Sequence, residues 1–277
     1  MRPVRSFRPA QTGRGAVIAF VGSEASGKST LLADTERWLG AELAVHRVHA
    51  GKPPPTLLTA VPNLLLPALR AALPRQRSTR IDLRRAATGG ADRGLDELPL
   101  LFALRSVLLA HDRRILLRRA AARAAAGAVV LCDRYPSADV GAPDSRQLPA
   151  PAVGARRYSL HEWLACRESR LYADIPPPDL VFYLRAPLDL VLERNRARDK
   201  TEPEDLVRLR HRQTTALHFA GTVVQELDTS RPIAESIRDV RRAVRNLLSA
   251  DGRRTHHPQP GVRPLRRLPD GRRCIPT

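Results

Sequence analysis

The chain is poor in aromatic residues, cysteine, methionine and lysine. Only two Trp, four Tyr and five Phe occur in 277 residues, so aliphatic side chains and alanine must fill any core. Its three cysteines, Cys132, Cys166 and Cys274, are odd in number and far apart. That spacing offers neither a disulfide framework nor a zinc site and fits a reducing compartment, so a cytoplasmic protein is expected. No run of about 18 uncharged apolar residues is present, which argues against a spanning helix. The basic segment 1–15 lacks an apolar h-region, so a secretory leader is not expected either.

What is there begins with 43% hydrophobic residues, enough to bury a core and to exclude a wholly disordered chain. The formal charge is +19, and of the 47 basic residues only Lys28, Lys52 and Lys200 are lysines. Much of the excess lies in three places: residues 1–15, residues 69–93 and residues 250–277. Such tails could attract nucleic acid or anionic lipid. An arginine- and alanine-rich surface set by codon bias is the simpler account, and a nucleic-acid partner is not expected.

Short β-type runs at 16–21, 43–48, 128–132, 180–184 and 222–227 alternate with helical stretches at 29–39, 98–126, 188–198, 204–220 and 233–249. Several of the runs are continuously apolar, as strands covered on both faces must be. The alternation predicts an α/β fold, a parallel five-stranded sheet flanked by helices in three layers. Residues 14–250 form the expected domain, with basic, disordered tails at 1–13 and 251–277. Segment 57–73 is apolar but interrupted by Pro62, Pro67 and Arg70. A helical subdomain or partner-covered face suits it better than peripheral membrane contact.

Gly22-Ser23-Glu24-Ala25-Ser26-Gly27-Lys28-Ser29-Thr30 satisfies G-x-x-x-x-G-K-[ST] in full, between a predicted strand and a predicted helix. Two glycines let consecutive N–H groups curl around one anion, and the helix that follows turns its positive dipole end towards it. Lys28 supplies a mobile charge for a transferred phosphate, and the Ser29 hydroxyl is a ligand for Mg2+. ATP and Mg2+ are therefore the expected cofactors. Glu24 is unusual there, because a carboxylate beside phosphates needs a donor: an acceptor hydroxyl, or an arginine.

Asp133-Arg134-Tyr135 ends the third predicted strand, where open parallel sheets bind ligands. Asp133 is a second candidate for Mg2+, and Arg134 for a phosphate held bidentately. Arg194, Arg196, Arg198 and Lys200 form a basic cluster that could act as a mobile lid over phosphates. In the long central helix, Arg113 or Arg105 is placed to face the crevice, but neighbouring Arg113 and Arg114 cannot both do so.

Taken in order, these motifs resemble the thymidylate kinase family of P-loop nucleoside-monophosphate kinases. Residues 20–30 fit its F-x-G-x-[DE]-x-[SA]-G-K-[ST]-[ST] opening, and Asp133-Arg134-Tyr135 is similar to its D-R-[YFH] motif. The apolar helix leading to Arg113, the Pro178-Asp179-Leu180 strand start, the Glu193-Arg194 lid and the 228–232 turn follow in the family's order. The resemblance implies the P-loop fold and transfer from ATP to a small acceptor, a nucleotide in the family. It implies a homodimer as a possible assembly. Glu24 would then contact the acceptor sugar, Arg134 its phosphate and Arg113 its base. Because position 25 is Ala, the catalytic arginine would come from the lid, with Arg194 and Arg198 as candidates beside Lys28.

The sequence also departs from the family. His49-Ala50-Gly51-Lys52-Pro53 stands where the family has an Arg-Glu-Pro-Gly signature for the acceptor phosphate, leaving Lys52 as the replacement cation. Leu109 stands where it has a base-stacking aromatic, and Arg185 replaces an acid. The acceptor therefore stays open. A regulatory nucleotide-binding protein without small-molecule kinase activity is the alternative.

Overall fold

A computed structural model describes residues 15–56, 59–60, 98–150, 159–198, 201–215 and 217–254. The expected tail 1–13, nearly all of segment 57–97, and Lys200 lie outside the described residues.

The described elements run β1 (Val17–Gly22), α1 (Lys28–Gly40), β2 (Val45–His49), α2 (Leu100–Ala125), β3 (Val129–Asp133), α3 (Leu160–Ala173), β4 (Leu180–Arg185), α4 (Leu188–Arg196), α5 (Glu204–Gln213), β5 (Val223–Asp228) and α6 (Ile233–Arg254). The five strands form one sheet, all parallel, in the order β2-β3-β1-β4-β5. Each observed strand lies within one or two residues of its predicted run. Continuous apolarity was the informative signal, because the three central strands bury both faces.

Period-two alternation divides those strands between two cores. Ile18, Phe20, Leu131, Phe182 and Leu184 meet Leu31 and Leu39 of α1 with Val240 and Val244 of α6. Val17, Ala19, Val130, Cys132 and Val181 meet Leu117, Ala120 and Ala124 of α2 on the opposite face. The scarcity of aromatics shows in the first core, where Phe20 and Phe182 form one tilted pair 5.1 Å apart. Asp179 of the Pro-Asp-Leu run accepts a 2.8 Å hydrogen bond from the Val17 amide and so ties the start of β4 to β1. Cys132 is a buried free thiol. Among the described residues, no helix is long and apolar enough to cross a membrane.

Three expectations about helices need correction. The stretch expected over 204–220 stops at Gln213, where β-branched Thr214 and Thr215 turn their hydroxyls back onto the last carbonyls and Tyr183 donates to the Thr214 carbonyl. Helix α3 was not expected at all. It starts at a complete capping box, the Ser159 hydroxyl accepting from the Glu162 amide and the Glu162 carboxylate from the Ser159 amide. The last helix, expected over 233–249, runs on to Arg254, and residues 255–277 of the expected tail lie outside the described residues.

This topology fixes where a ligand belongs. From β1 the chain crosses outward to β2 and returns to β3, then passes over β1 to β4. The strand order thus reverses between β1 and β3, and the crevice beyond their carboxyl ends is the switch point. The loops after β1 and β3 both open there.

Candidate active site

The loop after β1 is bent by backbone geometry that few residues tolerate. Gly22 sits at φ 144°, Ala25 at φ 54° and Gly27 at φ 89°. A Cβ on Gly22 would lie 2.5 Å from the Leu184 carbonyl oxygen, so the close approach to β4 itself requires glycine. Helix α1 starts at Lys28 with no side-chain cap and no acidic residue in its first turn. Its positive end is therefore left for an external anion.

Lys28 is buried and curls over this loop. Its ammonium donates to the Gly22 carbonyl at 3.2 Å, to the Ser23 carbonyl and to Ser26 Oγ at 3.3 Å. Burial pulls it down to about 8, with Arg134 pushing the same way and Glu24, Asp133 and Asp144 pulling back. A cation held below its normal basicity gains from any phosphate that arrives.

Glu24 finds its donor in arginine, and twice. Its Oε1 accepts from Arg134 at 2.7 Å and from Arg210 at 2.6 Å. Burial would raise its pKa, but Arg134, Lys28 and Arg210 outweigh that and hold it at about 2. Arg134 follows β3 at φ 73°, and its other terminal nitrogen donates to Asp144 at 3.1 Å. Against burial, the carboxylates of Asp144 and Glu24 raise the guanidinium's pKa. Asp144 in turn lies 3.5 Å from Arg113. Arg113 is buried, donating to the Ala50 carbonyl at 2.8 Å and to the Tyr172 hydroxyl. Arg210, Glu24, Arg134, Asp144 and Arg113 thus form one chain of alternating charge across the crevice.

The expected pairing rule on α2 holds, since Arg113 turns inward while Arg114 points outward to Asp174. Asp112, one position before Arg113, was not singled out. It is buried and accepts from the Thr56 amide at 3.0 Å and the Thr59 hydroxyl at 2.7 Å, pinning the connector after β2.

Of the two candidates for Mg2+, the Ser29 hydroxyl is exposed and makes no hydrogen bond among the described residues. Asp133 is largely covered and lies 3.1 Å from His49 Nδ1. No cluster of three His, Cys, Asp or Glu side chains able to hold a metal occurs among the described residues. One hydroxyl and one carboxylate fit Mg2+, which keeps most of its shell for water and substrate phosphates.

The other candidates are placed elsewhere. Arg194 donates to the Thr229 carbonyl at 2.8 Å, in the turn after β5. Arg196 pairs with Glu204 at 2.6 Å, and Arg198 is exposed. Lys52 is exposed and makes no ion pair among the described residues. The arginine that reaches the loop from this side is Arg210 of α5. It was legible in principle: Leu206, Val207 and Leu209 mark the buried face of α5, and Arg210 follows Leu206 by four positions and Val207 by three. Asp144 had no such signal, lying in a Pro-Asp-Ser turn like many others.

No family model matches the chain, and no curated protein compared with it matches either.

Proposed function

We propose that the protein is a P-loop enzyme that transfers a phosphoryl group from Mg-ATP to a small acceptor, a nucleoside monophosphate or a molecule similar to one. The observation that carries this reading is the buried Lys28 ammonium over a loop bent for anion binding, with Glu24 of that loop paired to Arg134 at the end of the neighbouring strand. A structural turn would need neither the buried cation nor the paired carboxylate.

In this reading the loop amides and Lys28 hold the donor phosphates, and Ser29 and Asp133 hold Mg2+, which supplies neutralisation of phosphate charge when bound. Arg210 is near enough to exchange Glu24 for a transferring phosphoryl group, since a charge-assisted bond to either costs it little. Glu24 and Arg134 orient the acceptor. Because phosphoryl transfer asks mainly for positioning and charge stabilisation, a site made of arginines and one lysine suffices. The exposed Arg198 and the neighbouring segment remain the candidates for a closing lid.

The test is ADP release with Mg-ATP over a panel of nucleoside monophosphates, nucleosides and phosphate-free small acceptors, beside calorimetry of a non-hydrolysable ATP analogue. Mg2+-dependent uptake of the analogue, lost in Lys28→Ala, is expected. Absence of uptake by folded protein refutes the reading.

A further inference from the structure

We propose that Asp144 is a specificity residue that keeps phosphate-bearing molecules out of the acceptor side of the crevice, so that the acceptor is an uncharged compound offering a hydroxyl group. The inference rests on the phosphoryl-transfer reading of the site and keeps its donor side, but puts a hydroxyl compound without a phosphate in the place of a nucleoside monophosphate.

The argument starts from the guanidinium of Arg134. A free arginine fork would grip a phosphate dianion through two parallel bonds. Here each terminal nitrogen already holds a different carboxylate, Glu24 at 2.7 Å and Asp144 at 3.1 Å. The protein itself thus supplies the two negative charges that a phosphate monoester would bring. Arg134 has no room to retreat towards the connector after β2, because its Cδ lies 2.4 Å from where a Cβ on Gly51 would stand.

Asp144 is not a loose counter-ion that an incoming phosphate can sweep aside. Its second oxygen lies 3.5 Å from the buried Arg113. Its loop is fastened to α3 by the Tyr172 hydroxyl, which donates to the Ser145 carbonyl at 3.0 Å, and by Glu168, which accepts from the Gln147 and Leu148 amides. The backbone points the same way. Among the described residues, only Ala25, Arg134 and Asp144 adopt positive φ without being glycine, at 54°, 73° and 64°. Arg134 and Asp144 meet in this crevice, and strained residues persist where the surrounding structure dictates their positions.

Among the described residues the other cations are committed as well, Arg210 to Glu24 and Lys28 to the carbonyls of its own loop. Arg113 has its nitrogens committed to Ala50, Tyr172 and Asp144, and Lys52 is exposed. What the crevice offers an acceptor beside Arg134 is a pair of arginine-bound carboxylates, which occupy the fork a phosphate would need and keep lone pairs that accept hydrogen bonds from hydroxyl groups. In the step itself a lone pair of the acceptor hydroxyl bonds to the γ-phosphorus of ATP. The bond from that phosphorus to the β–γ bridging oxygen breaks, its electron pair leaves on ADP, and the hydroxyl proton passes to water.

The experiment uses the full chain loaded with Mg2+ and a non-hydrolysable ATP analogue. A chain that takes up no analogue refutes the phosphoryl-transfer reading, and this inference with it. With analogue bound, inorganic phosphate is titrated calorimetrically into wild type, Asp144→Asn and Asp144→Gly, the last relaxing the left-handed backbone if the first folds poorly. Negligible phosphate uptake by wild type at millimolar concentration is expected, with affinity rising at least about tenfold in either variant. A parallel arm compares thymidine with thymidine monophosphate, and glycerol with glycerol 3-phosphate, as acceptors for Mg-ATP. The hydroxyl compound should be preferred by wild type, and the ratio should move at least about tenfold towards the phosphate in the variants. Wild type that binds phosphate as tightly as the variants, or that prefers the monophosphate, overturns the inference.

Discussion

Gly51→Ala changes one hydrogen into a methyl group at the back of Arg134, and the structure says what that does. The added Cβ would lie 2.4 Å from Arg134 Cδ, 3.2 Å from its Nε and 3.3 Å from Asp144 Oδ1. Reaching ordinary van der Waals contact at 3.4 Å requires the Cδ to withdraw by about 1 Å. The atoms that must move are side-chain atoms, so the fold can absorb the change. An off-rotamer arginine costs about 0.5–1.5 kcal/mol. Replacing glycine at a conformation open to alanine returns about 0.4–1 kcal/mol through the unfolded chain. The net change in stability is within about 1 kcal/mol, a melting shift of at most about 4 °C for a chain of this size. Function responds differently, because a misplacement of about 1 Å in a positioning group can lower turnover about 100-fold. The prediction is therefore a near-wild-type melting curve, unchanged affinity for the ATP analogue, and acceptor kcat/KM down about 100-fold. Two other glycines bracket it. A Cβ on Gly40 meets nothing within 4 Å, so Gly40→Ala should leave both readouts alone. A Cβ on Gly15 would sit 1.9 Å from the Ala128 carbonyl oxygen, which is backbone, so Gly15→Ala should cost about 2–3 kcal/mol. Gly51→Ala protein that melts normally and turns over at the wild-type rate would refute the role given to Arg134.

Arg210→Ala should lower kcat at least about 100-fold, because Arg210 reaches Glu24 of the loop from α5; steady-state kinetics decide. Two carboxylates should bend the stability–pH profile in opposite senses, measured by urea denaturation at successive pH values. Glu24, held at about 2 against a usual 4.5, contributes about 3 kcal/mol that is fully present above pH 4.5 and lost as pH falls towards 2. Glu168 is pushed up to about 7 by burial, against the Gln147 and Leu148 amides that bond to it, so its ionisation costs about 3 kcal/mol above pH 7, relieved as pH falls to 4.5. Glu24→Gln should flatten the first window and Glu168→Gln the second. Chelating Mg2+ should abolish turnover, and Ser29→Ala should require about tenfold more Mg2+ for half-maximal rate in a metal titration.

The parts of this protein that local sequence rules govern were readable in advance, and the parts that tertiary geometry governs were not. Apolar runs located the three central strands because burial on two faces leaves no alternation to misread, while the exposed edge strands β2 and β5 were found by their place in the strand–helix alternation. The glycines at 22 and 27 announced their loop because only glycine serves such dihedrals cheaply. Helix α3 escaped because its signature lies in the Ser159–Glu162 capping pair more than in a clean apolar stripe, and its exposed Leu160 and Trp163 blur the period. The site divides in the same way. Lys28, Glu24 and Arg134 belong to motifs, whereas Arg210 and Asp144 are brought in from 186 and 120 positions beyond Glu24. A carboxylate at the tip of a Pro-Asp-Ser turn reads as a turn former until the chain is folded around Arg134. That difference bears on the acceptor. The recurring motifs describe how a triphosphate would be held, a task that is the same wherever it occurs. The residues that no motif announced, Asp144 and Arg210, are the partners that hold Arg134 and Glu24 in place. On the proposed reading, a guess at the acceptor made from motifs alone leaves out Asp144, the partner that limits what Arg134 can hold.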